Sequence, residues 1–278
     1  MANETTSTTL DDLFANIILQ ARFTAEEQSI MLGLVTRYDI GNVAGKTIQV
    51  PKYPAIAAAG LTEGTDMSNT AVSTSSVNIT VGEVGALVTL TDMAAMGAGN
   101  PAAELGTVLG NAIATKIDKD LIALFDGFSS TLGSAGTEIT AADVFKAAAT
   151  LKAAKAPGQY SAVLHPFQAY QLKANMTNTF ANPNGGDVQN EAMRTGYVGQ
   201  IAGINIFESA NVTIDGSDDA KAAVFAPQGL AIAMKKDFNL ETQRDASLRA
   251  FELAATAVYG VGELDDTYGV EMLFDSAL

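Results

Sequence analysis

The sequence predicts an α+β fold, on three observations. One helical stripe runs unbroken from Leu105 to Phe125, the final quarter of the chain reads almost wholly as strands, and no repeat of solenoid period is present. Long helical and extended runs together place the chain in the α+β class.

The elements follow in order. Met1 to Thr9 is polar and Thr-rich, after which Leu10, Leu13, Phe14, Ile17, Ile18 and Ala21 recur at helical spacing and form one apolar face. A second helix starts at Thr24, because Thr24-Ala25-Glu26-Glu27 has the form of a capping box, with the hydroxyl and the carboxylate satisfying free backbone amides. These helices fit an ordinary core as well as they fit an arm.

From Lys46 the pattern turns extended. Thr47 to Pro54 carries Pro51 and Pro54, which an edge strand tolerates and a central strand does not. Ala57 to Thr70 is a Gly-containing turn region with Glu63 and Asp66 near its tip. A return strand runs from Val72 to Val81, where Val77, Ile79 and Val81 alternate with Asn78 and Thr80. Before Val77 it reads Ser73-Thr74-Ser75-Ser76, with almost nothing to bury. A two-stranded hairpin this polar is marginal in water, so its own domain or another subunit must support it, and the sequence favours a neighbour.

Glu83 to Thr91 is a further strand. Asn100-Pro101 then opens the long helix, with Asn100 as N-cap and Pro101 at the first helical position. Leu105, Val108, Leu109, Ala112, Ile113, Ile117, Leu121, Leu124 and Phe125 hold one stripe to Gly127, the expected stop, over roughly 40 Å. Gly106 and Gly110 either mark close approach of another backbone or are simply tolerated.

Thr140-Ala141-Ala142-Asp143 caps another helix, faced by Val144, Ala148 and Leu151 and ending before Pro157-Gly158. A short strand, Ser161 to His165, leads to a helix opened by Pro166 with Phe167, Tyr170 and Ala174 on one side. Asn182 to Gly186 reads as a loop, Tyr197 to Glu208 as a strand pair and Asp215-Gly216 as a turn. Strands are then expected at Ala222–Ala226, Leu230–Met234, Phe238–Arg244, Arg249–Val261 and Tyr268–Phe274. In the fourth of these Phe251, Leu253, Ala255, Ala257 and Tyr259 make one apolar face.

Composition narrows the function. With 278 residues and 47% apolar content the chain can bury a substantial core, and with 7% aromatics and no Trp its layers must pack through small side chains. The 16 Lys and Arg against 31 Asp and Glu give a net charge of -15 with no basic stripe, which excludes tight direct nucleic-acid binding. An acidic lining is compatible with a container for DNA, because it repels phosphates. There is no Cys, hence no disulfide, thiolate metal site or cysteine nucleophile. No basic residue precedes Arg22, unlike a secretory signal, and no apolar run reaches bilayer length, so a soluble protein made in the cytoplasm is expected.

The motifs that might carry chemistry fall short of it. Gly41-Asn42-Val43-Ala44-Gly45-Lys46-Thr47 has three residues between its glycines where a phosphate-binding loop has four, and an extended, proline-bearing segment follows instead of a helix. His165 is the only histidine and stands before Pro166 at a strand-to-helix junction, where capping or packing is the expected role. Asp215, Ser217 and Asp219 alternate like a calcium loop, but Ala220 stands in the glycine position and Ala226 in that of the bidentate Glu. Asp265-Asp266 reads as a turn. No catalytic residue, cofactor or metal is expected, and the chain is not an enzyme.

Three segments in this order carry a resemblance. Gly196-Tyr197-Val198-Gly199-Gln200-Ile201-Ala202-Gly203-Ile204-Asn205-Ile206-Phe207-Glu208-Ser209 resembles a glycine-spaced signature in which the glycines permit a turn between two short strands. Val163-Leu164-His165-Pro166 resembles a strand-then-Pro-helix step, and Phe238 to Asp245 leads through Arg249 into the long strand ending near Gly262. Together with the order arm, hairpin, long helix, mixed domain and closing strands, they make nearly the whole chain similar to the major capsid proteins of tailed bacteriophages, with the Hong Kong 97-type fold.

That resemblance implies an N-terminal arm at 1–40, an extended loop hairpin at 41–82, a peripheral domain from 83–136 with its spine helix, and an axial domain at 137–225, while 226–278 mostly closes the peripheral sheet. It implies a virion capsid assembled in the host cytoplasm from pentamers and hexamers around double-stranded DNA. The partners implied are the chain itself, a separate scaffolding protein, a portal and a decoration protein, with no membrane. Contacts between subunits are expected at Leu13, Phe14, Ile17, Lys52, Tyr53, Glu63 and Asp66. The covalent Lys-to-Asn crosslink of the family's type member is not expected, since the hairpin's lysines, Lys46 and Lys52, lie near its base.

The alternative of the same fold is an encapsulin-like nanocompartment shell holding an enzyme. An acidic surface or adhesin domain, which would carry an export signal, and an enzyme using carboxylates near Asp215 or Asp265 are the rivals from other classes.

Overall fold

The computed structural model describes residues 29–41, 44–54, 56–67, 69, 71–98, 102–180 and 199–277. The expected helices before residue 29, the Asn100-Pro101 cap, the 182–186 loop and residues 196–198 of the glycine-spaced signature lie outside the described residues. In chain order the strands are β1 (Thr36–Asp39), β2 (Thr47–Lys52), β3 (Ser75–Thr80), β4 (Gly82–Thr91), β5 (Thr131–Gly133), β6 (Tyr160–Leu164), β7 (Gln200–Ile201), β8 (Ile204–Glu208), β9 (Asp219–Phe225), β10 (Leu230–Asp245), β11 (Ala250–Glu263) and β12 (Gly269–Asp275). The helices are α1 (Asp92–Ala98), α2 (Ala102–Ile122), α3 (Ala141–Ala153) and α4 (Pro166–Phe180). The α+β class holds.

One sheet has the order β1-β10-β11-β4, with β1 parallel to β10 and the other pairs antiparallel. Its inner face is the apolar face expected of β11: Leu253, Ala255, Ala257 and Tyr259 are buried with Leu109, Ile113, Ile117 and Leu121 of α2. Phe251, at the outer end, is only partly buried and carries the Arg244 guanidinium 4.5 Å over its ring. The helix tightens into a 3-10 turn over Ala123–Gly127, which ends the stripe at the expected glycine.

A second sheet has the order β5-β12-β9-β6-β8-β7. Strand alternation covers both its faces. Ala162, Leu164, Ala222 and Val224 pack with Val144, Ala148 and Leu151 of α3, while Val163, Ala223 and Phe225 join the core around α2. Every residue of β6 is accordingly buried. Phe125 meets Phe225 with ring centroids 5.6 Å apart, tying the long helix to this sheet. Thr140 and Asp143 form the expected capping box, with the Asp143 carboxylate accepting from the Thr140 amide at 3.2 Å and hydroxyl at 2.6 Å.

Several expectations change. Leu230–Met234 and Phe238–Arg244 are one strand, β10, interrupted by register shifts between Met234 and Asn239 where Lys235-Lys236-Asp237 breaks the apolar pattern. Helix α1 was not legible as a helix, because Thr91 both ends β4 and caps the helix, its hydroxyl accepting from Ala94 N at 3.3 Å. Strand β12 is the exception among the closing strands. It pairs with β9 and β5 in the second sheet, since Val270, Met272 and Phe274 are buried with the α3 and α4 residues.

The hairpin β2–β3 pairs from Thr47 with Thr80 to Lys52 with Ser75. Of the two supports the sequence allowed, its own domain or a neighbour, with the neighbour favoured, the root has the first: it is held by its own chain. Ile79 and Val81 are buried with Ile40, Ala231 and Ala233, and Ile48, Val77 and Val258 pack around them. Glycines allow this approach: a Cβ on Gly260 would lie 2.4 Å from Thr80 O, and one on Gly262 2.8 Å from Ile79 Cγ1.

Candidate assembly surfaces

Beyond Lys52 and before Ser75 the described residues have no helix or strand, and every one of them is exposed. This segment nevertheless carries Tyr53 at 70% exposure, Ile56 at 59%, Leu61 at 66%, Met67 at 75% and Val72 at 47%. Isolated exposed apolar side chains are ordinary, but five within one segment of some twenty residues make it a candidate contact surface. Glu63 and Asp66 stand exposed among them, and no Lys or Arg occurs from Tyr53 to Thr115.

Of the residues expected at contacts, Tyr53, Glu63 and Asp66 thus share this segment with the apolar side chains. Leu13, Phe14 and Ile17 lie outside the described residues. The Lys52 ammonium is 2.7 Å from Asp265 of its own chain. Sequence reasoning missed Ile56, Leu61, Met67 and Val72, because single apolar residues among Ala, Gly and Thr show no period. Their one signal is that they fall in a segment too irregular to bury them.

The hairpin lies along an acidic turn. Asp265 caps a 3-10 turn over Asp266–Tyr268, accepting from Thr267 N at 3.2 Å and Thr267 Oγ1 at 2.8 Å. Burial alone would raise the Asp265 carboxyl, but Lys52 and the two Thr267 donors outweigh it and hold it below the usual value. Burial raises Glu263, and Asp266 and Asp265 push it further, against the pull of Lys52. Asp266 accepts from Ser129 N at 2.7 Å and from the Ser129 hydroxyl, so the turn is also fixed to the end of the long helix.

A second brace sits at the far end of the first sheet. Arg244 makes a bidentate pair with Asp92 at 2.6 and 2.7 Å, and Asp92 N donates to Arg249 O at 3.0 Å. Exposed Met93 and Leu248 flank this brace in the chain, beside Asp92 and Arg249.

The groups that resembled chemistry have structural work instead. His165 is an N-cap: its Nδ1 accepts from Phe167 N at 3.2 Å, while Gln168 Oε1 accepts from His165 N at 3.4 Å. Burial holds the imidazole below its ordinary pKa, consistent with the neutral form that can accept. Asp215 closes its turn by accepting from Ser217 N at 2.8 Å and Asp219 N at 3.0 Å. Lys46 and Thr47 lead into β2 and not into a helix, so the loop before them offers no helix N-terminus to a phosphate. Among the described residues no group of three His, Cys, Asp or Glu is placed to hold a metal, and no helix is long and apolar enough to cross a membrane.

One buried carboxylate stands out. Asp118 on α2 is 1% exposed and accepts from Ser29 Oγ at 2.7 Å and from Ile30 N and Met31 N at 3.2 Å each. Burial raises its pKa, with the hydrogen bonds from Ser29, Ile30, Met31 and Asn211 opposing that shift. It fastens the start of the described chain to the long helix. Nearby, Tyr259 donates to Asp120 at 2.8 Å, and burial, reinforced by that hydrogen bond, drives the phenol pKa upward.

The turn in the glycine-spaced signature has the geometry expected of it. Ala202 and Gly203 both have positive φ, 55° and 83°, and join β7 to β8 as a two-residue hairpin with Ile201 opposite Ile204.

Comparison with known proteins agrees with this geometry. The sequence profile of the phage capsid protein family matches residues 75–271, more than two thirds of the chain. No curated protein matches in sequence. Among solved structures, the capsid of cyanophage P-SCSP1u is similar at TM-score 0.70 and 19% identity, over 90% of this chain and 89% of that one. Mycobacterium phage Che8 gives TM-score 0.67 and 21% identity, over 88% and 90%. The acid-stable capsid of Helicobacter pylori bacteriophage KHP30 gives 0.70 and 12%, over 89% and 91%. The chain belongs to the phage capsid protein family and has the Hong Kong 97-type fold of tailed-phage major capsid proteins.

Proposed function

We propose that this capsid subunit assembles into pentamers and hexamers of an icosahedral shell around double-stranded DNA. The observation that carries the reading is the distal hairpin, where Tyr53, Ile56, Leu61, Met67 and Val72 are exposed on a segment without helix or strand. A second copy of the chain is the occupant that covers them in every subunit at once. Axial domains meet around each ring, and each hairpin lies over the peripheral domain of a neighbour. Assembly takes place in the host cytoplasm with a separate scaffolding protein and a portal. The net charge of -15 suits a lining from which packed DNA is repelled and along which it slides. Lys46 and Lys52 stand in β2 or just before it, away from the hairpin tip, so the shell is held without a covalent crosslink through this hairpin.

Deletion of residues 55–75 tests this. The shortened subunit should remain folded and soluble, because the root of the hairpin keeps its Ile79 and Val81 anchor, and electron microscopy should show no closed shells. Unfolding of the body, or normal shells, would refute the reading.

A further inference from the structure

The position of Lys52 gives it a role within its own chain. Lys52 is the last residue of β2, five residues beyond Thr47, which places it about 17 Å along the strand from the root. There it meets Asp265, a residue fixed by its own cap on Thr267 and by the neighbouring tie between Asp266 and Ser129. The satellite core around Ile79 and Val81 holds the hairpin from its root as far as Val77, with Leu264 packed against it, and the strands run on beyond it to Lys52 and Ser75. A tie at the root resists swinging poorly, and one at the far end of the paired strands resists it well.

We propose that Lys52 is a positioning residue that aims the hairpin. By gripping Asp265 it pins the paired strands β2 and β3 along the 264–268 turn and fixes the point and direction from which residues 53–74 project. Tyr53 and Ile56, immediately beyond the tie, would otherwise sweep a wide arc. The environment favours a cation here: Glu263, Asp265 and Asp266 converge on the turn, Lys52 acts on both Glu263 and Asp265, and Thr267 and Ser129 occupy other oxygens of Asp265 and Asp266. Half of the Lys52 side chain is exposed, so the pair adds little to overall stability. Its effect is on direction. The consequence for shell closure rests on the proposed function, but the aim of the hairpin does not.

The chain has no cysteine, so Thr62→Cys with Thr89→Cys gives two unique spin-label sites, one on the distal segment and one on the exposed side of β4. Distances would be measured by pulsed electron resonance on full-length, unassembled subunits isolated by size exclusion. With Lys52 present the distribution should be narrow. Lys52→Met and Asp265→Asn should each widen it at least twofold, and Lys52→Arg, which keeps the cation, should restore it. A Lys52→Met distribution that overlays the parent overturns the proposal. So does widening by Asp265→Asn alone, which would trace the effect to the Thr267 cap. Electron microscopy of the same variants separates this inference from the proposed function. A parent that forms no shells refutes that function and leaves the distances to judge Lys52. Shells of parental diameter and yield from Lys52→Met refute the link between aim and closure.

Discussion

Replacing Ile79 by Ala should loosen the hairpin without unfolding the body. Ile79 is 1% exposed and sits in a satellite cluster with Ile40, Val81, Ala231 and Ala233, separate from the two main cores. Removing three carbons at about 0.8 kcal/mol each costs about 2.4 kcal/mol, and any cavity left behind adds to it. The site is poorly able to refill, because the neighbour facing Ile79 is Gly262, which has no side chain to move in. Since the cluster joins the hairpin to the sheet, the cost falls on a local opening and not on the global equilibrium. About 2.4 kcal/mol corresponds to a roughly 60-fold larger open population. Hydrogen exchange on the unassembled subunit should therefore show amides of β2 and β3 exchanging about 60-fold faster, with β6, β9 and β12 unchanged. A change below threefold in the hairpin, or an equal acceleration in the second sheet, would show that the hairpin is not anchored by this cluster.

Two pH predictions follow from buried titratable groups. Asp118 has a pKa raised above 3.8 by burial, so the stability that goes with its protonated form is present below 3.8 and lost as pH rises through the raised value. Asp118→Asn, neutral throughout, should flatten that part of the profile in denaturant titrations, and an unchanged slope would refute the assignment. His165 has a pKa lowered below 6.5, so stability is complete above 6.5 and declines as pH falls from there through the folded value, where protonation takes the Nδ1 acceptor from Phe167 N. His165→Asn keeps a capping oxygen and does not titrate, and it should remove that decline as read by near-ultraviolet dichroism.

The parts of the fold that were legible in the sequence are those where one local rule acts alone. The stripe from Leu109 to Leu121 faces a single core, the Thr140 and Asp143 pair forms within four residues, and the Ala202-Gly203 turn needs only two positive φ angles. Long-range choices were not legible. Nothing local assigns β12 to the second sheet instead of the first, because Val270, Met272 and Phe274 would alternate equally well in either. The role of Lys52 depends on Asp265, more than two hundred residues away, and Asp118 reads as one polar position on a helix until Ser29 to Met31 are brought onto it. The support at the hairpin's root was not legible for the same reason: Gly260 and Gly262 reveal a seat only when β3 lies across them.

The distribution of side-chain size bears most directly on function. Alanine fills many buried positions of the two sheets: Ala220, Ala222, Ala223, Ala226, Ala231, Ala233, Ala250, Ala255 and Ala257 are all fully buried. Small residues let strands and helices approach closely, and at Gly260 even a methyl group is excluded. Meanwhile Tyr53, Ile56, Leu61 and Met67 stand more than half exposed on the hairpin. A monomer selected only to be stable would place such side chains inside, where each contributes roughly 1.5–3 kcal/mol. Left outside on an acidic subunit, whose like charges keep free copies apart, they stabilise only an arrangement in which a matched surface covers them. The proposed shell would meet that condition through its repeated contacts, and on that proposal the hairpin's direction, more than its composition, is the property on which closure depends.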